Sequence, residues 1–168
     1  MKKLFPFLLV LIVISSCEDV LEITETMVVN QSATVTIEQT NGTAVNFNDV
    51  IEGDLNQVIS NFNSINDITI DSLSYSFANL NGNENALIVS ASIEINGIIV
   101  ADVSEVNIAQ EVENQSLFEI TDVNVLEQLE TSFLNNSAVT LNLSGMAISE
   151  EGDVSFDIVL SMQLTASF

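Results

Sequence analysis

VSFDIVLSMQLTASF, residues 154–168, is the stretch on which the fold turns. Phe156, Ile158, Leu160, Met162, Leu164, Ala166 and Phe168 share one parity; Ser155, Asp157, Ser161, Gln163, Thr165 and Ser167 share the other. Successive side chains of a strand point to opposite faces, so this is a strand with one buried and one wet face. One-sided burial predicts an antiparallel sheet. Residues 87–95 repeat the pattern, with Leu87, Val89, Ala91, Ile93 and Ile95 opposed to Ser90, Ser92 and Glu94. Asn96-Gly97, set between Ile95 and Ile98, predicts a two-residue hairpin. No Pro follows Pro6, so ladders can run uninterrupted.

Upstream, the chain reads as a duplication. With an offset of 71, residues 34–70 fall on 105–141 with eight identical pairs, among them Val35/Val106, Ile37/Ile108, Phe47/Phe118, Leu55/Leu126 and Phe62/Phe133. In each copy short strands come first. Val35 and Ile37 alternate with polar residues, Asn41-Gly42 predicts a hairpin, and Val45 and Phe47 alternate again. The second copy has Val106 and Ile108, then Leu117 to Ile120. A helix follows in each: Leu55, Val58, Ile59, Phe62 and Ile65 make one stripe, with Asp54 and Gln57 as a capping box; Leu126, Leu129 and Phe133 make the other, with Asn124 and Glu127. A long hairpin closes each copy, and switches of apolar parity predict bulges at Asp71-Ser72 and Ser144-Gly145. The expected fold is mainly β: an antiparallel sandwich or half-open barrel with two short helices, spanning residues 34–168 as one domain of two repeats, 34–103 and 105–168. The alternative is α+β, with both helices on one curved antiparallel sheet.

The composition excludes much chemistry. The 168 residues hold 24 Asp or Glu and only two Lys or Arg, Lys2 and Lys3; there is no His, no Trp and a single Cys. Without cationic side chains after position 3, no fork exists for phosphates, and nucleic acid is not an expected partner. Imidazole catalysis and Cys- or His-based metal sites are equally out of reach. Yet 47% of the residues are hydrophobic, so this is a folded body rather than an acidic tail.

At the N-terminus, Lys2 and Lys3 precede an unbroken apolar run of eleven, Leu4 to Ile14, and then Ser15-Ser16-Cys17. The run is too short to span a bilayer, which takes about 20 residues, and suits a signal-peptide core. Ile14-Ser15-Ser16-Cys17 resembles the lipobox of bacterial lipoproteins. The resemblance implies removal of residues 1–16 and acylation of Cys17, with anchoring in the outer membrane on its periplasmic or cell-surface face. The alternative is a secretory signal followed by an incidental Cys. Glu18 and Asp19 resemble the surface-export signal of Bacteroidetes lipoproteins; a solvated acidic tether explains them equally. Residues 17–33 are expected to be acylated Cys and tether, with Met27 to Val29 the part most suited to join a sheet.

Other chemistry is thin. Paired carboxylates are the only acid–base option, and the aromatic platforms of glycosidase subsites are absent; Tyr75 lies on an apolar parity and reads as core. Ser and Thr lack a base. No catalytic, cofactor-binding or metal-ligating residue is assigned, no cofactor is expected, and the chain is expected not to be an enzyme. Asn81-Gly82-Asn83-Glu84-Asn85 and Glu150-Glu151-Gly152-Asp153 offer oxygen atoms to a divalent cation such as Ca²⁺, but ordinary turn chemistry accounts for the same residues. Asp71-Ser72-Leu73 resembles the short O-glycosylation sequon of Bacteroidetes. The functional expectation is a lipid-anchored, non-catalytic envelope or cell-surface protein acting in binding, adhesion or envelope assembly, with the membrane as one partner and another envelope protein or a glycan as the other. The alternative is a small-molecule or lipid carrier with a pocket between the helices and the sheet, which a cavity lined by Phe62, Phe77 and Phe133 would favour.

Overall fold

A computed structural model describes residues 23–55 and 64–168. Among these residues eight strands and two helices follow one another: β1 Thr24–Ile37, β2 Val45–Asp54, β3 Asp67–Gly82, β4 Leu87–Ile95, β5 Ile98–Asn107, α1 Ile108–Glu113, β6 Leu117–Glu119, α2 Val123–Asn135, β7 Ala138–Ile148 and β8 Val154–Ser167. They form two four-stranded sheets of order β1-β8-β3-β6 and β2-β7-β4-β5. Every ladder is antiparallel. The sandwich expectation is met, and the single curved sheet is set aside. This strand order, 1-8-3-6 over 2-7-4-5, is the winding of a jelly roll.

Residues 154–168 justify their weight. β8 lies between β1 and β3, and Val154, Phe156, Ile158, Leu160, Met162, Leu164 and Ala166 are all buried. They meet Ile88, Ile93 and Ile95 of β4 and Val139, Leu141 and Leu143 of β7 in one continuous core. Asn96-Gly97 forms its hairpin, both residues with positive φ (50° and 78°), and the bulge at Asp71 is present as a register shift between Ile70 and Ser72.

Several expectations give way. β1 begins at Thr24, so residues 24–33 belong to the sheet rather than to a tether. Asn41-Gly42 does turn the chain, with φ of 49° and 81° and Thr43 N donating to Thr40 O, but β1 and β2 enter different sheets. The closing hairpins likewise prove to be crossings: β3 and β4 part between the sheets, and so do β7 and β8. Turn residues dictate a reversal; long-range pairing decides which sheet each arm joins. The bulge expected at Ser144-Gly145 lies instead in the partner strand, between Ile88 and Ser90 of β4. β7 keeps one parity, burying Val139, Leu141, Leu143 and Ala147 and exposing Met146. Where strand was expected to reach Ile108, α1 starts, because Asn107 caps it by accepting from Gln110 N. The α2 stripe buries Leu129 and Phe133 as expected, but its cap is Asp122, which accepts from Asn124 N and Val125 N. The first expected helix lies outside the described residues except for its ends, Leu55 and Ile65.

The pairing interlocks the two halves of the chain. No two of β1–β4 pair with each other, and no two of β5–β8 do; every ladder joins one half to the other. Exchanging β1–β4 with β5–β8 turns each sheet's order into the other's. That exchange belongs to the winding itself, whatever the sequence. The side chains add that Phe47 and Phe118 both sit on edge strands, opposite Gly145 and Tyr75 respectively.

Candidate interaction site

Cys17 and Phe62 lie outside the described residues. Tyr75 is a core residue, 8% exposed, stacked on Phe118 at 4.8 Å between ring centroids and meeting Phe77 edge-on. Burial first, and the Glu111 carboxylate second, push its phenol pKa up. Phe77 and Phe133 are buried in the same packed interior. In the Asp71-Ser72-Leu73 sequence the first two residues are exposed and Leu73 is buried, while Asp71 Oδ2 accepts from Thr165 Oγ1.

The two acidic and amide-rich loops do converge, at the end of the sandwich away from Thr24. Residues 38–44 join them. Ser149, fully buried, donates its backbone N–H to Thr40 Oγ1, and its hydroxyl accepts from Asn83 Nδ2 at 2.9 Å. Gln39 N donates to Asp153 Oδ1, and Asn85 N to Asn83 Oδ1. These groups tie three crossings together, as buried polar groups must be tied. Among the described residues, no three acidic side chains stand close enough to share a metal ion.

The surface features that sequence did not announce lie along the two seams where sheet edges meet. At one seam β1 and β2 pack directly together. The Gln31 amide lies over Gly53, where a Cβ would collide with it, and the remaining slot between residues 28–31 and 52–55 is about 280 Å³. At the other seam β5 and β6 barely touch, leaving an open groove of about 550 Å³. Its floor is Tyr75, Val100, Phe118 and Ile120, its lip the exposed Leu117. Carboxylates of Asp102, Glu119 and Asp122 line the rim. β5 uses one backbone edge for β4 and presents the other to this groove. α2 packs against β5 near Ile98, and α1 continues from Asn107, so the free stretch is the middle of the strand. Beyond Ser74–Ser76, where β6 pairs, the β3 edge is covered by helices; Glu130 of α2 accepts from Ile70 N at 2.8 Å. A second groove, about 690 Å³, crosses the outer face of β2-β7-β4-β5 over Ser90, Ser92, Ser104 and Ser144, and shares Asp102 with the first.

No protein-family model matches the chain, and no curated protein matches it. Among solved structures, the one titled "Crystal structure of decameric BFDV Capsid Protein" is similar with a TM-score of 0.42 and 10% sequence identity, over 85% of this chain and 98% of that one. A likeness of that size assigns this chain neither a function nor an assembly.

Proposed function

We propose that the protein is a lipid-anchored, non-catalytic module of a bacterial outer membrane, acting in binding, adhesion or envelope assembly. The observation that carries this reading is the single Cys17 placed where the apolar run stops. Residues 18–23 alone separate it from β1, a reach of at most about 25 Å when extended. The body would therefore ride close to the bilayer. Thr24 pairs with Ser167 at one end of β1, and Ile37 pairs with Val154 at the other. The end bearing residues 38–44, 81–86 and 149–153 would then point away from the membrane, about 40 Å farther out. Two or more acyl chains would hold such a body stably, where one would not.

The carrier reading draws less support. Phe77 and Phe133 are 4% and 0% exposed, and neither lines any of the grooves described above. Replacing Cys17 by Ser tests the anchor. The substitution should abolish labelling by a fatty-acid analogue and shift the protein from the membrane to the soluble fraction. Membrane retention of an unlabelled protein would contradict the reading.

A further inference from the structure

The geometry points to the open seam between β5 and β6 as a docking site for one extended, cation-bearing segment of a partner protein, added as a strand along β5. The binding role proposed above gains a location here, yet the two are tested separately: lipid labelling reads the anchor, and the experiment below reads the seam.

Three observations converge. The first is backbone. Among the described residues β5 pairs on one side only, and the part of it that lines the groove is Val100 to Asp102. Unpaired strand edges are templates for another strand, and proteins commonly blunt them with charged side chains, Pro, a β-bulge or a covering element; among such devices β5 has a bulge at Val100. Residues 98–107 contain no Lys and no Pro. The equivalent edge of β1 is occupied by β2, so the two seams of one winding differ in closure. At about 3.3 Å per residue, the open stretch offers pairing to about three residues of an added segment.

The second is the apolar floor. Added strands gain affinity from main-chain hydrogen bonds and specificity from pockets for alternate side chains. Here Val100, Phe118, Ile120 and the Tyr75 ring form such a pocket. Leu117, 60% exposed at its lip, is an apolar side chain with nothing over it among the described residues.

The third is charge. The rim is acidic, and no residue after Lys3 carries a positive side chain. A second copy of the chain would set Asp102 and Glu119 against the same carboxylates in a protein of formal net charge −22, and like charges placed opposite one another disfavour pairing. The complement is a segment whose alternate residues are apolar, facing the floor, and Lys or Arg, facing the rim.

Hydrogen exchange read by mass spectrometry on the full chain in detergent tests this, with synthetic peptides as probes. An alternating Val-Lys octapeptide should slow exchange at least tenfold in residues 98–107 and 117–120, and leave 24–37 unchanged. An alternating Val-Glu peptide, and a Val-Lys peptide with a central Pro, should not. In the double variant Asp102→Lys, Glu119→Lys, both at exposed positions, the preference should switch to the Val-Glu peptide. Leu117→Ser, which removes an apolar side chain at an exposed site, should weaken protection by the Val-Lys peptide. Absence of protection at the seam would overturn the proposal. Equal protection by the Pro-containing peptide would also overturn it, because adsorption of a cation to an acidic surface needs no free backbone.

Discussion

Gly145 carries more constraint than its place in a polar stretch announces. It stands in the inward row of β7, between Leu143 and Ala147, opposite Ala91 of β4 and Phe47 of β2. A Cβ there would run into the Ser90 carbonyl and come within 2.7 Å of Phe47 Cζ and 2.8 Å of Ala91 Cα. Gly145→Val should therefore destabilise the fold by about 1–3 kcal/mol, the usual scale for overpacking, measured as a lower denaturation midpoint. The same residue hid the parity of β7 in the sequence. With no side chain at 145, apolar Met146 and Ile148 made the wrong face look buried. Asp157 shows a different balance. Asn79 Nδ2 and Thr34 Oγ1 each donate to it at 2.6 Å, and these bonds hold its carboxyl below the ordinary aspartate value. Its NMR titration should fall below that of an ordinary aspartate. Because the folded pKa is depressed, its contribution to stability is present above the unfolded value and is lost as pH falls through the folded one. Tyr75 has the opposite sign: its phenol is raised, so its contribution is complete below about pH 10 and lost as pH rises through the folded value.

At the scale of elements, the strands were legible and their partners were not. Alternation marked β8, and Asn-Gly marked the β4–β5 hairpin, because both are local properties of the chain. The remaining neighbours come from far along it: β1 takes β8, β2 takes β7, and β3 takes β8 and β6. No turn residue encodes such a choice. Both seams were invisible for the same reason, since an edge is defined by the strand that fails to sit beside it. The short α1 was missed because Ile108 continues the apolar parity of β5 while Asn107 turns the backbone into a helix. Interlocking yields a sharp expectation. A fragment ending at Asn96 would hold β1 to β4 and could form none of the native ladders. It should show the circular dichroism of an unfolded chain, and mixing it with residues 97–168 should restore β signal. A fragment that folds alone would mean that its strands can pair in another order.

The whole molecule is dominated by one sign of charge. Folding brings 21 described carboxylates closer together, and no side chain from residue 4 onward can neutralise them. That raises electrostatic self-energy. Salt cuts the reach of each charge from about 30 Å at 0.01 M to about 8 Å at 0.15 M, so the melting temperature of the full chain should climb by several degrees between 10 mM and 1 M NaCl. A melting temperature indifferent to salt would show that the charges are too far apart to matter. The proposed N-terminal address was the clearest functional signal in the sequence, because the residues that resemble a lipobox, 14–17, are contiguous, whereas an open seam exists only after eight strands have found their places. Intact mass spectrometry of the protein extracted from membranes tests that address most directly. The mature chain should begin at Cys17 and carry the added mass of a diacylglyceryl thioether. A mature chain starting elsewhere, or one with an unmodified Cys17, would contradict it.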